Sequence, residues 1–301
     1  MKRRSHLFSI RRYQTVWGYI FIAPALLGFI AFYLGPMLFS LIISFFDWDM
    51  IQPAQFIGIQ NYIDMFTLSN SLVSKSLMVT LYYTLISVPL ITIVSLFISM
   101  LLNSKIRMMS VYRTIFYIPS IVPAVANAAL WMFLCNPMFG LLNTVLKAVG
   151  LPPQNWIYDS QSVIPTLALI GLWGAGNTVV IYLAGLQGVP THLYEAIEID
   201  GGGAFQKFRH VTIPMLSPVI FYNMIMAIIN SMQTFTQAYI MTEGGPNNAS
   251  LFYTLLLYRT AFKDQQMGYA SAMAWLFFIV IALLTIIAFK LSNKWVFYGE
   301  E

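Results

Sequence analysis

The sequence predicts an all-α integral membrane protein, and three observations carry this prediction. The chain has 301 residues, of which 58% are hydrophobic and only 9% are charged, whereas soluble domains carry about 25% charged residues. Its mean hydropathy is +0.72. Six apolar stretches are each long enough to cross the bilayer as a helix, which takes about 20 residues. Membrane strands would alternate polar and apolar residues, and runs such as FIAPALLGFIAFYLG do not.

The six predicted spans are 17–45, 77–102, 113–135, 161–186, 217–240 and 268–290. The third is the least regular, because Pro119 and Pro123 interrupt it. We expect the first span to be retained, since the apolar run after the basic start is too long for a signal peptide. Residues 1–301 are predicted to form a single transmembrane domain.

The distribution of Arg and Lys predicts the orientation of these spans. The loops on one side hold only Lys75, Lys147, Arg259 and Lys263. The other side holds twelve basic residues: Lys2, Arg3, Arg4, Arg11, Arg12, Lys105, Arg107, Arg113, Lys207, Arg209, Lys290 and Lys294. By the positive-inside rule, both termini and the loop 187–216 are expected in the cytoplasm. This asymmetry accounts for the net charge of +5, so nucleic-acid binding need not be invoked.

The spans hold no Asp, Glu, Lys or Arg in their central parts. This weakens an ion-coupled secondary transporter, which usually needs a buried ionisable group, although backbone carbonyls can hold Na⁺. An intramembrane enzyme is disfavoured, because no catalytic constellation and no set of metal ligands is visible. Cys135 is the only cysteine, and the three histidines are scattered. An autonomous ion-coupled carrier or channel stays open as the alternative function.

The loop 187–216 is predicted to form a helix–turn–helix that lies along the membrane surface. Pro190 and Thr191 mark a helix start, with Thr191 as the N-cap. Leu193, Ala196 and Ile197 are expected on one face, with Glu195 and Glu198 towards another. The glycines 201–203 would stop this helix in a left-handed turn. A second short helix, 204–210, would then lead to Pro214. An ordinary amphipathic connector remains the alternative.

The stretch EAIEIDGGGAFQKFRHVTIPMLSP resembles the EAA loop of the membrane subunits of binding-protein-dependent ABC importers, in its carbohydrate-type form. Ile197 departs from the usual second Ala. Segments such as FIGIQNY, YRTIFYIPSIVPAVANAALWMFL and MTEGGPNNAS are similar to the sugar and glycerol-phosphate permeases, and the likeness extends along nearly the whole chain. The resemblance implies a type I ABC importer permease fold with a cytoplasmic EAA coupling helix, in a bacterial cytoplasmic (inner) membrane.

This family likeness also implies the partners. They are a homologous second permease subunit, two ABC ATPase subunits that hold ATP and Mg, an extracytoplasmic solute-binding protein and a carbohydrate substrate. The chain itself would be no enzyme and would hold no cofactor. An amino-acid or phosphate importer is the alternative within this class. The residues implied in ATPase coupling are Tyr194, Glu195, Ala196, Asp200 and Gly201.

The path of a carbohydrate needs amide and hydroxyl groups together with aromatic faces. The candidates by chemistry are Ser120, Asn127, Trp131, Trp173, Asn177, Gln233 and Gln237, with Tyr182, Asn230 and Thr234 beside them. Helical spacing predicts that 127 and 131, 173 and 177, 230 and 234, and 233 and 237 each share a face. The resemblance favours Ser120, Asn177 and Gln233. Alternatively, these side chains bridge helices or belong to the interfacial belt.

Overall fold

A computed structural model describes residues 2–67, 72–104 and 107–297, with side chains from Arg12 onward. Its regular structure is almost entirely helical, as predicted. The chain divides into two compact units. One unit holds the N-terminal residues up to Thr67 together with Thr260–Leu276, and the other holds the remaining residues.

The first unit begins with α1 (Lys2–Phe29), which continues through a π-helical turn, Ile30–Leu34, into α2 (Gly35–Ile43). Pro36 explains the wide turn, because its ring excludes the carbonyl of the preceding helical turn. The Gly35 N–H donates instead to the carbonyl of Ile30, five residues back. The proline is therefore accommodated without ending the helix.

A short hairpin follows, which the sequence did not predict. Strands β1 (Phe46–Asp47) and β2 (Gln55–Phe56) pair antiparallel, with Phe46 opposite Phe56. Helix α3 (Gln60–Thr67) closes this segment, and the Asn61 amide donates to the carbonyls of Ser44 and Phe46 at 2.9 and 3.0 Å. Asn61 thereby ties α3 to the hairpin.

The second unit is a helical bundle. Its helices are α4 (Leu72–Leu102), α5 (Met109–Ile121), α6 (Ala124–Leu134), α7 (Leu141–Ala148), α8 (Val163–Trp173), α9 (Gly176–Gln187), α10 (Thr191–Ile199), α11 (Ala204–Lys207), α12 (Ile213–Met232) and α13 (Tyr253–Tyr258). It also holds the part of α14 (Met267–Ser292) from Phe277 onward. A 3₁₀ turn lies at Trp156–Tyr158, and π-helical turns lie at Phe208–Thr212 and Ala238–Thr242. Of a further π-helical turn, Arg259–Lys263, only Arg259 belongs to this unit.

Helix α4 is the centre of this bundle and packs against α8, α9, α12 and α13. Small hydroxyl residues on its buried face allow the close packing that helices need in lipid. The Thr80 hydroxyl donates to the Ser76 carbonyl at 2.8 Å and accepts the Tyr253 N–H at 2.9 Å. The Ser231 hydroxyl donates to that of Thr84 at 3.1 Å. These bonds join α4 to α12 and α13.

Four described helical segments are long and apolar enough to cross a membrane: Arg12–Ile43, Leu72–Leu102, Ala204–Met232 and Met267–Ser292. Two bent pairs qualify together. Helices α5 and α6 meet at 98°, and α8 and α9 meet at 55°. The first bend confirms the predicted interruption, because Val122 is extended, with ψ 128°, before Pro123. The second bend, at Gly174–Ala175, is not in the prediction.

The fifth helix differs from the prediction at both ends. The expected separate helix over 204–210 is wrong, because the π turn carries the helix past Pro214 and the Ile213 N–H donates to the Phe208 carbonyl. The continuous segment thus runs from Ala204 to Met232. It stops before the predicted limit of 240, and the Thr254 hydroxyl bonds the Thr234 carbonyl beyond its end.

Asp159 holds the loop that precedes α8. Its Oδ2 accepts the N–H groups of Gln161 and Ser162, each at 3.0 Å. These backbone bonds, that of Ser162 first, hold the pKa of the Asp159 carboxyl below its ordinary value. The stabilisation they give is complete above the ordinary Asp pKa and is lost as the pH falls through the lowered pKa.

We expect Asp159→Ala to raise hydrogen exchange several-fold at the amides of Gln161 and Ser162, because both lose their acceptor. In the unsubstituted chain, the protection of these two amides relative to their intrinsic exchange rate at the same pH should be lost only on acidification. Asp159→Asn is the matched control, since it keeps an acceptor oxygen but does not titrate. Equal exchange in the Ala variant and the unsubstituted chain at neutral pH would contradict this role.

Candidate functional site

Helix α10 ends in a glycine-dependent reversal, as predicted. Gly201 has φ +75°, its N–H donates to the Glu198 carbonyl at 3.0 Å, and the Gly202 N–H donates to the Ile197 carbonyl at 2.7 Å. This pair of bonds is a Schellman motif. At the other end the prediction is one residue out: Pro190 is the N-cap, and Thr191 is the first helical residue and makes no capping bond.

The turn after α10 is held on both sides. A Cβ on Gly202 would lie 2.4 Å from Cγ2 of Ile197, so only glycine fits there. The Gly203 N–H donates to Oε1 of Gln206 at 2.7 Å, which caps the start of α11. An ion pair between Lys207 and Glu198 joins α11 to α10. The segment 191–207 is therefore a defined helix–turn–helix.

The inner face of α10 packs on the bundle. Leu193, Tyr194 and Ile197 lie against a buried cluster supplied by α4, α9, the connection from α9 to α10, and the fifth helical segment. Its members are Leu96, Tyr182, Leu186, Val189, Val211 and Leu216. The Tyr194 hydroxyl lies 3.2 Å from the Thr212 hydroxyl. Leu193 and Ile197 are on the predicted face. Ala196 is exposed, because the buried face is centred between Leu193 and Tyr194.

The outer face of α10 is open to solvent. Glu195, Ala196, Asp200 and Gly201 are all exposed, and a Cβ on Gly201 would meet nothing within 4 Å. Two large apolar side chains flank them, with Ile199 86% exposed and Phe205 71% exposed. Of the five predicted coupling residues, four thus share this outer surface, and Tyr194 lies beneath it.

A second feature is a cavity of about 420 Å³ among α4, α8, α9 and the segment that follows α10. Its described lining carries no Asp, Glu, Lys, Arg or His. The polar side chains are hydroxyls and amides, and tyrosines supply the aromatic faces. They are Tyr83, Ser87, Asn177, Thr178, Tyr222, Asn223, Asn230, Ser231, Thr234 and Gln237. Groups of this kind bind and orient neutral hydroxylated solutes.

The predicted path residues divide into two groups. Asn177, Asn230, Thr234 and Gln237 line the cavity. Gln233 does not line it, since it is the exposed C-cap of α12. The prediction that Gln233 and Gln237 share a helical face is wrong, because the helix is interrupted between them. The shared face of 173 and 177 is wrong for the same reason, since the break at Gly174–Ala175 separates them.

The remaining candidates lie outside the cavity lining. The Ser120 hydroxyl donates to its own helix, to the Tyr117 carbonyl at 2.7 Å. The rings of Trp131 and Trp173 pack edge to face with centroids 5.9 Å apart. Asn127 Oδ1 and Trp131 Nε1 are enclosed without a hydrogen-bond partner among the described residues. Trp131, one member of the predicted pair on α6, thus packs on Trp173 away from the cavity. The buried Tyr182 is part of the packing beneath α10.

The sequence prediction missed the contribution of α4. Tyr83 and Ser87 line the cavity, and a Cβ on Gly171 would lie 3.5 Å from the Tyr83 hydroxyl. The signal was present in the sequence, because Tyr83 and Ser87 are an i, i+4 pair in the second predicted span. Thr178 and Tyr222 were missed as well, although each belongs to a predicted span.

Comparison with known proteins places this architecture in a family. The sequence model of the family described as "Binding-protein-dependent transport system inner membrane component" matches residues 67–298. The chain therefore belongs to this family of multi-pass membrane proteins. Since its members are transport permeases, the alternative of an autonomous ion-coupled carrier or channel is not favoured.

Individual relatives match along almost the whole length. The chain is 40% identical over 297 residues to the probable ABC transporter permease protein YesP of Bacillus subtilis, covering 97% of this chain and 95% of YesP. It is 32% identical over 288 residues to the arabinooligosaccharides transport system permease protein AraP of the same organism, covering 94% and 90%.

Among solved structures, the chain is similar to one chain of a bacterial alginate ABC transporter in complex with an alginate pentasaccharide-bound periplasmic protein. The TM-score is 0.83 at 19% sequence identity, and the match covers 97% of this chain and 98% of that chain. At this identity the likeness shows a common fold.

Proposed function

We propose that this chain is the permease subunit of an ATP-driven ABC importer and forms half of the path for a carbohydrate. One observation carries the proposal. The cavity and the support of α10 are built from the same helices, because α4, α9 and α12 line the cavity and also supply the cluster beneath α10. A displacement of α10 would therefore reach the cavity directly.

The chemistry of the cavity supports a neutral hydroxylated solute such as a sugar, an oligosaccharide or a polyol derivative. Its amides and hydroxyls can donate and accept hydrogen bonds, and Tyr83 and Tyr222 offer faces for a sugar ring. The relatives named for arabinooligosaccharides and alginate are consistent with this class. An acidic sugar remains compatible, since amides also bind carboxylates.

The outer face of α10 would be the contact with a separate ATPase subunit. Glu195 offers a carboxylate to a partner Arg, Gly201 allows close backbone approach, and Ile199 and Phe205 supply apolar anchors. Two such ATPases would hold ATP and Mg, and this chain would hold neither. ATP binding would close the ATPases, move the segment 191–210 and open the cavity to the other side of the membrane.

The orientation is taken from the predicted topology, and the remaining partners are those that the family likeness implies. We count each bent pair as one span, which gives six helices with both termini and α10 in the cytoplasm. Of the basic residues behind this orientation, Lys105 lies outside the described residues. A homologous permease would supply the other half of the path, and an extracytoplasmic solute-binding protein would deliver the carbohydrate.

The test is to tag this chain in its native membrane, solubilise it gently, identify the proteins that co-purify and assay ATP hydrolysis. We expect a second multi-span permease and an ATPase, with hydrolysis stimulated when sugar-loaded binding protein is added. A lone chain that hydrolyses no ATP and still moves solute in liposomes under an ion gradient would contradict the proposal.

A further inference from the structure

A second cavity, of about 240 Å³, lies among the ends of three helices in the larger unit. The residues with polar side chains that line it are Arg113, Tyr117 and Gln187. Leu102 is the last residue of α4, Gln187 is the last residue of α9, and Arg113 lies in the second turn of α5. Arg113 and Gln187 therefore lie near helix ends that the predicted topology places at the cytoplasmic side of the membrane.

The rest of this cavity is an apolar slot. It follows α5 and α9 from the charged end towards Gly176, where α9 begins, and the eleven steps from Gly176 to Gln187 measure about 16 Å at 1.5 Å each. Its walls are open at the surface of the chain, with Phe116 42% and Val180 44% exposed. The other apolar residues that line it are Val179, Leu183 and Ala184.

Arg113 brings a positive charge that nothing in the described chain neutralises. The only ion pair among the described residues joins Lys207 and Glu198. One Nη2–H of Arg113 donates to the Leu102 carbonyl at 3.2 Å, which caps α4. Its Nε is enclosed with no acceptor among the described residues. A guanidinium has five N–H donors, so the helix cap uses only part of its capacity.

We propose that this cavity binds an anionic phospholipid, with the headgroup phosphate on Arg113 and an acyl chain in the slot between α5 and α9. In the predicted topology, Arg113 lies at the membrane interface and the apolar slot leads into the membrane. A phospholipid has the same arrangement, with a charged headgroup at the interface and apolar chains in the membrane. Arginine pairs with phosphate through parallel N–H donors, and basic pockets between membrane helices bind acidic headgroups. Capping of α4 alone would explain neither the open slot nor the unused donors.

The experiment uses the full-length chain, purified with its co-purifying subunits, and measures lipid binding by native mass spectrometry. The probes are phosphatidylglycerol and phosphatidylcholine with identical acyl chains. We expect phosphatidylglycerol to bind more tightly, and Arg113→Gln to weaken it about five-fold, the effect of one interfacial cation. Phosphatidylcholine binding should change little.

Arg107→Gln is the matched control, because Arg107 precedes the same helix, is exposed and does not line the cavity. Arg107→Gln should leave the preference for phosphatidylglycerol over phosphatidylcholine unchanged. Arg113→Lys keeps the charge but lacks the paired N–H donors, so it should weaken phosphatidylglycerol binding less than Arg113→Gln does. If Arg113→Gln fails to fold, a variant in the slot is the second test of the site. Ala184→Phe, which narrows the slot, should weaken both lipids.

Three outcomes would overturn the site. They are equal phosphatidylglycerol binding by the unsubstituted chain and Arg113→Gln, unchanged binding of both lipids by Ala184→Phe, or the same loss in Arg107→Gln as in Arg113→Gln. Glycerol phosphate is added as a soluble competitor. If it displaces phosphatidylglycerol at equal concentration, the site recognises a free phosphate and has no lipid specificity.

Discussion

Replacing Gly201 with glutamate is expected to abolish carbohydrate import and to uncouple ATP hydrolysis from it. Gly201 has φ +75°, where a side chain costs about 1–2 kcal/mol, and glutamate would add a fourth carboxylate beside Glu195, Glu198 and Asp200. The turn would be strained, and the glutamate side chain would occupy the space in which the partner backbone is proposed to approach Gly201 closely. The measurement is uptake of labelled sugar, alongside ATP hydrolysis, in proteoliposomes that hold the complete transporter.

Two variants separate the causes of this loss. Gly201→Asn tolerates the left-handed conformation and adds no charge, so it should fold normally and lose less import than Gly201→Glu. Gly203→Ser is the matched control, because Gly203 has an ordinary φ of −84° and open space around it, and serine is a good N-cap. Near-normal uptake by Gly201→Glu would remove Gly201 from the coupling surface.

Filling the larger cavity is expected to have the second large effect. Ala227 lines it, and Ala227→Trp would place an indole where the solute passes. Import should fall to background, while ATP hydrolysis without solute persists, because the outer face of α10 is unchanged. The same proteoliposome assay measures both activities.

Leu85→Trp is the control, since Leu85 is 73% exposed on α4 and does not line the cavity. It should import normally. A milder variant, Asn230→Ala, should weaken solute affinity about ten-fold, because it removes one or two hydrogen bonds. Normal import by Ala227→Trp would mean that the solute takes another route.

Short sequence patterns predicted the structural features that depend on neighbouring residues in the chain. The apolar runs identified the membrane helices, since length and hydropathy decide insertion. The glycines after Ile199 predicted the reversal at Gly201, because few other residues adopt that conformation. Pro123 likewise predicted the bend between α5 and α6.

The features that the sequence did not predict depend on tertiary contacts. The hydroxyl of Thr254 bonds the Thr234 carbonyl where the fifth helix has ended, and no local residue type announces that break. The π turn before Pro214 joins two segments that a proline usually separates. The spacing of Tyr83 and Ser87 places them on one face of α4, but whether that face meets the cavity depends on how α4 packs against its neighbours.

The doubly held turn after α10 has a mechanical consequence. Backbone bonds at Gly201 and Gly202, the Gln206 cap and the Glu198–Lys207 pair leave this segment little room to flex on its own. A rigid segment transmits a displacement with little deformation of its own. A force applied at Glu195 would then displace α4, α9 and α12 as whole helices, because the hydrophobic cluster beneath α10 connects α10 to all three.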